Sequence, residues 1–342
     1  MKEFGSDFHY IDSYQSKRAH LTDVYRNALL LADGRQCIMA LIRQYGWKRL
    51  WMPEYFCYEV IASIEQMTGI EIAFYHDLPI LSNDQRTVEE LPYMDGDVLF
   101  RVNYFGLRDF RSEDKIPIPV IEDHTHDLLG HWALYSNADW CIASLRKSLP
   151  VPEGGMMWSP KGFSLDCITD ESEENKEIAA SRWEGMRMKA AYLNGEQKNK
   201  DAFRKKFIDT EGWFDCAEIS AIDDNSRNYI EKLDINLWQG AKLKNWKILH
   251  REMKTKPLSA ENDSCTPFSC ILLAESHDAR EQLRKRLIAR SIYPAILWNV
   301  PHSASEMAKD FSSRMLSVHC DGRYTPDDAR QLSAIINDLI VI

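Results

Sequence analysis

Two short stretches hold side chains that could do chemistry together. The first, I-E-D-H-T-H-D-L-L-G-H, runs from Ile121 to His131 and contains adjacent carboxylates, Glu122 and Asp123, with three histidines. The second, W-C-I-A-S-L-R-K-S-L-P-V-P-E-G-G, places Lys147 between an apolar run and a turn rich in proline and glycine. Such a set indicates a chemical site, in which a lysine amine attacks a carbonyl or histidines bind a metal.

The elements around these stretches favour the lysine chemistry. P-I-P-V-I-E-D is typical of a strand that ends at Glu122 and Asp123, and A-D-W-C-I-A-S-L of a strand that ends just before Arg146 and Lys147. Ligands of open parallel sheets bind at the carboxyl ends of strands, so both ends would face one crevice. A lysine there can form a Schiff base with a carbonyl, including that of pyridoxal phosphate (PLP), while an acid faces the pyridinium nitrogen.

Alternating elements extend over most of the chain. We expect helices in H-L-T-D-V-Y-R-N-A-L-L-L-A-D-G (ended by Gly34), in R-Q-C-I-M-A-L-I-R-Q-Y-G and in Y-E-V-I-A-S-I-E-Q-M-T-G. We expect strands in K-R-L-W-M-P, I-E-I-A-F-Y-H, G-D-V-L-F-R-V-N-Y-F-G, F-S-C-I-L-L-A-E-S and Y-P-A-I-L-W-N-V, and a last helix N-capped by Thr325. Short apolar strands between helices predict a parallel sheet covered on both faces. We divide the chain into a large α/β domain, 1–240, whose part 170–240 is a mainly helical connection, and a small C-terminal α/β domain, 241–342.

Composition narrows the class of protein. The chain has 342 residues, of which 44% are hydrophobic and 27% charged, as expected for a globular protein with a real core. Its formal net charge of -10 argues against general nucleic-acid binding. We find no signal peptide and no apolar run of the ~18–20 residues that cross a bilayer. The eight cysteines are scattered without a C-x-x-C pair, so we expect a reduced, cytoplasmic protein.

The two stretches resemble a known family. The run K-S-L-P-V-P-E-G-G, Lys147 to Gly155, resembles the K-x-L-x-x-x-E-G-G passage of the DegT/DnrJ/EryC1/StrS sugar aminotransferases, whose lysine carries PLP. I-E-D-H-T-H is similar to that family's E-D-x-x-H/Q. The resemblance implies that Lys147 is catalytic, that Asp123 pairs with the pyridinium nitrogen and that His126 reaches the ring hydroxyl.

Weaker matches extend the resemblance over about residues 30–325. Asp33-Gly34-Arg35 lies where the family has its phosphate loop, and a glycine before a helix N-terminus suits phosphate binding. Gly34 taken alone could equally be a helix C-cap. Most members carry a serine five residues before the lysine, where this chain has Ile142; Ser144, at the spacing of the broader aspartate-aminotransferase fold, is then the candidate phosphate donor.

Other positions depart from the family. The ring-stacking aromatic aligns with Cys57, so Phe56 or Tyr58 is expected to substitute. The segment that reaches the partner subunit's phosphate has its nearest counterpart in N-S-R-N-Y, Asn225 to Tyr229. Arg323, in a C-D-G-R-Y run similar to C-D-Q-R-Y of a subgroup, would bind a donor carboxylate or form a structural ion pair.

The resemblance implies a fold and an activity. The fold is the PLP-dependent transferase fold of type I, α/β, with a mostly parallel seven-stranded sheet in the large domain; such proteins are normally homodimers. The activity is transfer of an amino group from glutamate to the keto group of a nucleotide-linked deoxysugar, for surface-polysaccharide or secondary-metabolite synthesis, with Lys147 shuttling the proton. A related enzyme that dehydrates sugars is disfavoured, because such members have histidine where this chain has Lys147.

Three alternatives remain open at this point. One is a non-catalytic regulator or binding protein that keeps the fold, and another is a PLP aminotransferase that acts on a non-sugar keto substrate. The third is a metal cluster of His124, His126, Asp127 and His131, which a zinc site would need to bring together tetrahedrally. Nothing downstream completes such a cluster, and we expect no metal.

Overall fold

The structure is a computed structural model that describes residues 2–16, 18–81, 88–109, 115–165 and 170–340. Its strands are β1 (Phe4–Gly5), β2 (Leu29–Leu31), β3 (Arg49–Pro53), β4 (Glu71–Tyr75), β5 (Asp97–Val102), β6 (Val120–Asp123), β7 (Trp140–Ser144), β8 (Gly155–Trp158), β9 (Cys270–Leu273), β10 (Ile292–Tyr293) and β11 (Met315–Val318). Its helices are α1 (Leu21–Val24), α2 (Gly34–Tyr45), α3 (Tyr58–Thr68), α4 (His131–Tyr135), α5 (Leu145–Ser148), α6 (Glu173–Leu193), α7 (Lys200–Glu211), α8 (Asp224–Ile230), α9 (Ile235–Glu252), α10 (His277–Ile288), α11 (Glu306–Arg314) and α12 (Pro326–Leu339). Two short 3-10 turns cover Tyr104–Gly106 and Gly212–Asp215.

A seven-stranded sheet forms the centre, in the order β2-β8-β7-β6-β5-β3-β4. Only β8 runs antiparallel to its neighbours β7 and β2. The remaining pairs, β3–β4, β3–β5, β5–β6 and β6–β7, are parallel. The predicted fold class, with its mostly parallel seven-stranded sheet, is confirmed.

Apolar side chains cover both faces of this sheet. Along β7, Ile142 belongs to one apolar cluster, whereas Cys141 and Ala143 belong to the other. Along β5, Phe100 and Leu99 divide in the same way. Because successive side chains point to opposite faces, a strand buried on both sides needs a continuous apolar run, which is the pattern in the sequence.

The C-terminal part adds two small sheets. β9 pairs antiparallel with β11, and the N-terminal β1 pairs in parallel with β10. The N–H of Gly5 also donates to the hydroxyl of Tyr324 at 2.7 Å, which ties the start of the chain to its end. Thr325 N-caps α12 and Pro326 is its first residue, as predicted.

Two predicted elements are wrong. Residues 20–34 do not form one helix, because Leu29–Leu31 is an edge strand of the central sheet. Gly34 therefore begins α2, where Asp33 is the N-cap and accepts from the N–H of Gln36 at 2.9 Å. The predicted strand Y-P-A-I-L-W-N-V is regular only at Ile292–Tyr293. At Leu29–Leu31, pairing with β8 overrides the helical spacing of the apolar residues.

The predicted domain boundary falls within a continuous helix. α9 runs through residue 240 to Glu252, whose carbonyl accepts from the side-chain amide of Asn337 on α12 at 2.9 Å. The division into 1–240 and 241–342 stays a prediction. Across the described ranges, no helix combines the length and the apolar character of a membrane span.

Candidate active site

Asp123 and Lys147 reach one cavity from neighbouring strands. β6 ends at Asp123, which pairs in register with Ile142 of β7. β7 ends two residues later at Ser144, the N-cap of the single-turn helix α5 that carries Lys147. The parallel pairing of β6 and β7 thus brings the acid and the lysine to the same edge of the sheet, as the sequence predicts.

Lys147 is exposed to the cavity and its amine is easier to deprotonate than usual. The charge of Arg146 is the main cause and burial among protein atoms is the second; together they lower the pKa of Lys147 to about 8, although Glu211 opposes them. Roughly a tenth of the amine is therefore neutral at pH 7, far more than for an ordinary lysine, and nucleophilic attack on a carbonyl requires the neutral form.

The two glycines after Glu153 let the start of β8 approach the residues that begin α2. Gly154 has a φ of 123°, which favours glycine, and its N–H donates to the carbonyl of Ala32 at 2.6 Å. A Cβ at Gly155 would lie 2.1 Å from the carbonyl oxygen of Asp33. The E-G-G passage is thus explained by the close approach of β8 to the residues that begin α2.

The first turn of α2 offers an anion site beside α5. A Cβ on Gly34 would lie 3.1 Å from the Cβ of Ser144, so the glycine lets the helix end approach β7 closely. Arg35 pairs with Asp215 through Nη1 at 2.8 Å, and its side chain is only 11% exposed. Its Nε is buried and has no hydrogen-bond partner within the described ranges. A helix N-terminus with such an arginine suits a phosphate group.

No cationic side chain of the described residues forms an ion pair with the carboxylate of Asp123. Asp123 is 7% exposed and its Oδ1 accepts from the N–H of Thr125 at 2.8 Å. Burial raises the pKa of Asp123, against the lowering effect of the Thr125 hydrogen bonds and of His124. A positively charged ring nitrogen at this place would stabilise the carboxylate.

His126 is held as a neutral ring within an aromatic group. Its Nδ1 accepts from the N–H of Phe105 at 3.2 Å, so the proton lies on Nε2. Its ring centroid lies 4.5 Å from that of Phe268 and 5.7 Å from that of Trp298. Burial, with the charges of Lys242 and Lys147, lowers the pKa of His126 to about 3. Neutral His126 can therefore donate one hydrogen bond from Nε2 to an oxygen.

These side chains surround a cavity of about 150 Å³. The predicted residues in its lining are Gly34, Arg35, Phe56, Asp123, His126, Ser144 and Lys147. Tyr58 is not among them: its ring stacks on Phe74 at 5.6 Å and its hydroxyl donates to the carbonyl of Glu54. Tyr58 is thus placed away from the cavity, because it lies on the first turn of α3 and faces outward. Phe56, 4% exposed, packs on Trp298 at 5.3 Å.

Arg323 forms a structural ion pair. Its Nε and Nη2 each donate to a carboxylate oxygen of Asp321 at 2.8 Å. Its Nη1 donates to the carbonyls of Ser6 and Asp7 at 3.0 and 3.2 Å. The guanidinium lines a second cavity, of about 360 Å³, but its donors are already engaged within the protein. Of the two expected roles, this geometry favours the structural one.

Several residues of the site escaped the sequence analysis. Arg146, Glu211, Thr125 and Trp298 also line the cavity. Thr125 could have been noticed two residues after Asp123, at the strand end, and Arg146 by its place next to Lys147. Glu211 and Trp298 lie far away in sequence and carry no local signal.

The proposed histidine metal cluster does not assemble. His126 faces the cavity, whereas His124, 0% exposed, lies beside Glu122 on the other face of β6. His131 contacts Asp109 at 3.1 Å. Within the described residues the one group of possible ligands is Glu122, His124 and Cys141, and the carboxylate of Glu122 is already bound by His124 and by the hydroxyl of Ser136.

Comparisons with known proteins identify the fold. No protein-family model and no curated protein sequence matches the chain. Among solved structures, Spr1654 from Streptococcus pneumoniae, described as a sugar aminotransferase and solved in its PLP form, is 9% identical with a TM-score of 0.61 over 99% of this chain and 100% of that one. PseC from Helicobacter pylori, an aminotransferase involved in the biosynthesis of pseudoaminic acid, is 12% identical with a TM-score of 0.63 over 99% of both chains. A DegT DnrJ EryC1 StrS aminotransferase from Brucella abortus is 14% identical with a TM-score of 0.60 over 93% of this chain and 87% of that one.

At these identities the likeness shows the fold. The chain has the PLP-dependent transferase fold of type I, and the solved structures that share it include the family that the motifs resemble. The residues at the cavity fit the cofactor: Arg35 at a helix N-terminus, the buried carboxylate of Asp123 and the amine of Lys147. In the part of the chain that the structure describes, neither the Nε of Arg35 nor the Asp123 carboxylate has a partner that would compete with the cofactor for it.

Proposed function

We propose that this chain is a PLP-dependent aminotransferase in which Lys147 binds the cofactor covalently. The observation that carries the proposal is that three separate elements meet at one cavity. They are the acid at the end of β6 (Asp123), the lysine on α5 (Lys147) and the first turn of α2 (Gly34 and Arg35). Each supplies one of the groups that a phosphate, a pyridinium nitrogen and an aldehyde need.

Each residue has a role that its position supports. Gly34, Arg35 and the hydroxyl of Ser144 would hold the phosphate, and Asp123 would hold the protonated ring nitrogen. His126 would donate from Nε2 to the ring oxygen. When bound, PLP supplies a ring that accepts the electron pair released at the α-carbon of the amino donor.

Lys147 would carry the proton in both half-reactions. With PLP bound at the cavity, the amine of Lys147 would take the proton from the donor's α-carbon. Because its pKa is lowered to about 8, the amine is basic enough to accept this proton and acidic enough to give it up again. Packing of Phe56 and Trp298 over the cavity helps to keep water away from this step.

The substrates would enter through the second cavity, which shares Arg146, Lys147, Phe268 and Leu297 with the first. We infer glutamate as the amino donor and a keto group of a nucleotide-linked deoxysugar as the acceptor, for surface-polysaccharide or secondary-metabolite synthesis. The cavity, of about 360 Å³, leaves space for a substrate beside Lys147. The sugar aminotransferases among the structural neighbours support this substrate class. We further propose a cytoplasmic homodimer, on the resemblance alone.

The test is the amino-donor half-reaction of the full-length protein loaded with PLP. Visible absorbance and mass spectrometry, before and after glutamate is added, should show conversion of the cofactor to its amine form. Asp123→Asn should retain the covalently bound cofactor but convert it at least ~100-fold more slowly, because an electrostatic partner of the reacting group is lost. Lys161→Ala, which removes an exposed lysine paired with Asp139, is the matched control for Lys147→Ala.

The outcomes separate the candidate functions. Loss of conversion in Lys147→Ala but not in Lys161→Ala supports the proposal. Conversion by Lys147→Ala at the wild-type rate contradicts it. A bound cofactor that no amino donor converts would favour the non-catalytic binding protein instead.

A further inference from the structure

Two arginines hold a single carboxylate beside Lys147. Arg146 donates from Nη2 to Glu211 Oε1 at 2.8 Å and from Nη1 to Oε2 at 3.3 Å. Arg182 donates from Nη1 to the same Oε2 at 3.1 Å. A bidentate arginine–carboxylate pair with a second arginine fixes its members in position more firmly than a single surface contact does. We call these three residues the clamp.

The surroundings of the clamp restrict its movement. The ring of Phe214 lies 4.5 Å from the guanidinium carbon of Arg146 and 5.2 Å from that of Arg182. Arg182 donates further to the carbonyl of Pro152 at 2.9 Å and to the hydroxyl of Thr210 at 3.1 Å. The side chains of the two arginines are only 10% and 4% exposed, whereas that of Glu211 is 49% exposed.

The clamp lies where the chemistry would take place. Arg146 and Lys147 are adjacent on α5 and both line both cavities, and Glu211, the last residue of α7, lines the cofactor cavity. We propose that Arg146 and Glu211 are positioning residues for Lys147: Glu211 fixes Arg146 beside the lysine and offsets part of its charge, so that the two act on the lysine nitrogen in opposite directions. The inference rests on the proposed function, since it assigns residues that tune the same lysine.

The charges of Arg146 and Glu211 change the pKa of Lys147 in opposite directions. Arg146 is the largest cause that lowers the pKa of Lys147 to about 8, and Glu211 raises it. Arg35, on α2, lowers it further. Cys57, before α3, would act in the same direction as Glu211 only as a thiolate.

Three groups near Lys147, Glu211, Cys57 and His126, keep constant charge in the range where Lys147 titrates. Although burial favours protonation of Glu211, Arg146 and Arg182 lower its pKa to about 2, so it is ionised throughout that range. Burial raises the pKa of the Cys57 thiol, which keeps it neutral. His126, three residues after β6, is neutral because burial lowers its pKa to about 3. Burial raises the pKa of Asp123, the last residue of β6.

The experiment measures the titration of Lys147 itself. The full-length protein, without added PLP, is labelled with a trace of acetic anhydride at a series of pH values, and acetylation at Lys147 is quantified by peptide mass spectrometry. The wild type should show a midpoint near pH 8, as its pKa of about 8 implies. Glu211→Gln should lower the midpoint by roughly one unit and Arg146→Gln should raise it by roughly one unit, since a charge close to an ionisable group has effects of this order. The double variant should fall between the two single variants.

Controls separate tuning from simple support of the fold. Asp209→Asn removes a carboxylate from the same helix, where Asp209 pairs with Lys205 at 2.7 Å on the exposed side, and should leave the midpoint unchanged. Circular dichroism melts identify any variant that is unfolded. If one single variant is unfolded, the direction of the midpoint shift in the other single variant tests the inference. A purely structural clamp would not move the midpoint in opposite directions.

Shifts of opposite sign support the inference, and shifts of the same sign, or none, overturn it. Because labelling needs no cofactor, it gives a result even if PLP never attaches to Lys147 and the proposed function fails. Conversely, a protein that binds PLP at Lys147 but shows no opposite shifts would overturn the clamp alone.

Discussion

Gly155→Ala tests how the E-G-G passage positions the start of α2. A Cβ at this position would lie 2.1 Å from the carbonyl oxygen of Asp33 and 2.8 Å from the nitrogen of Gly34. Both are backbone atoms, and β8 and β2 are fixed by pairing of Gly155 with Leu31, so no side-chain rotation relieves the contact. Overpacking of a core costs about 1–3 kcal/mol, and we expect the upper end, about 3 kcal/mol, because the main chain must move.

The assay is urea unfolding of the variant together with its affinity for PLP. Affinity should fall, because the main-chain shift moves the first turn of α2 away from Ser144. Gly240→Ala is the matched control: the residue is inside α9, and apart from its neighbours and the backbone of that helix no atom of the described residues lies within 4 Å of a Cβ there. Alanine is the better helix former, so this control should be more stable by roughly 0.5–1 kcal/mol. Gly155→Ala with wild-type stability and wild-type PLP affinity would refute the reasoning.

Two other substitutions test the anion site at α2 and the ion pair between Asp321 and Arg323. Arg35→Met should weaken PLP binding by roughly 10–100-fold in equilibrium dialysis, since a hydrogen bond to a charged group contributes about 1.5–3 kcal/mol. Arg43→Met, on the last turn of α2, should not change it, and equal losses in both would contradict the phosphate role. Burial raises the pKa of Asp321, but Arg323 outweighs this effect and lowers the pKa to about 2. The ionised form of Asp321 therefore stabilises the fold above about pH 4, and this stabilisation is lost as the pH falls through about 2. The loss amounts to about 2 kcal/mol, and unfolding of Asp321→Asn over this pH range should lack it; an unchanged pH dependence would count against the ion pair.

The strand ends could be predicted because their signals are local. β6 and β7 are short apolar runs that end in Asp123 and in Ser144, and parallel pairing places such ends together whatever the rest of the chain does. The lysine and the acid can therefore be found from the sequence, and the structure brings them to one cavity.

Other parts of the site depend on distant packing. Leu29–Leu31 follows a helix-like pattern in sequence but becomes a strand because β8 offers it an edge to pair with. Tyr58 was expected at the cofactor ring, yet the first turn of α3 directs it towards Phe74. Glu211 and Trp298 reach the cavity from far along the chain, and a single sequence shows no such proximity.

The most direct measurement of the central claim is the location of the bound cofactor. The full-length protein is incubated with PLP, reduced with borohydride, digested and analysed by peptide mass spectrometry. The account predicts one modified peptide, which contains Lys147. Modification at a different lysine, such as the buried Lys189 or Lys242, or a chain with no modification, would contradict it.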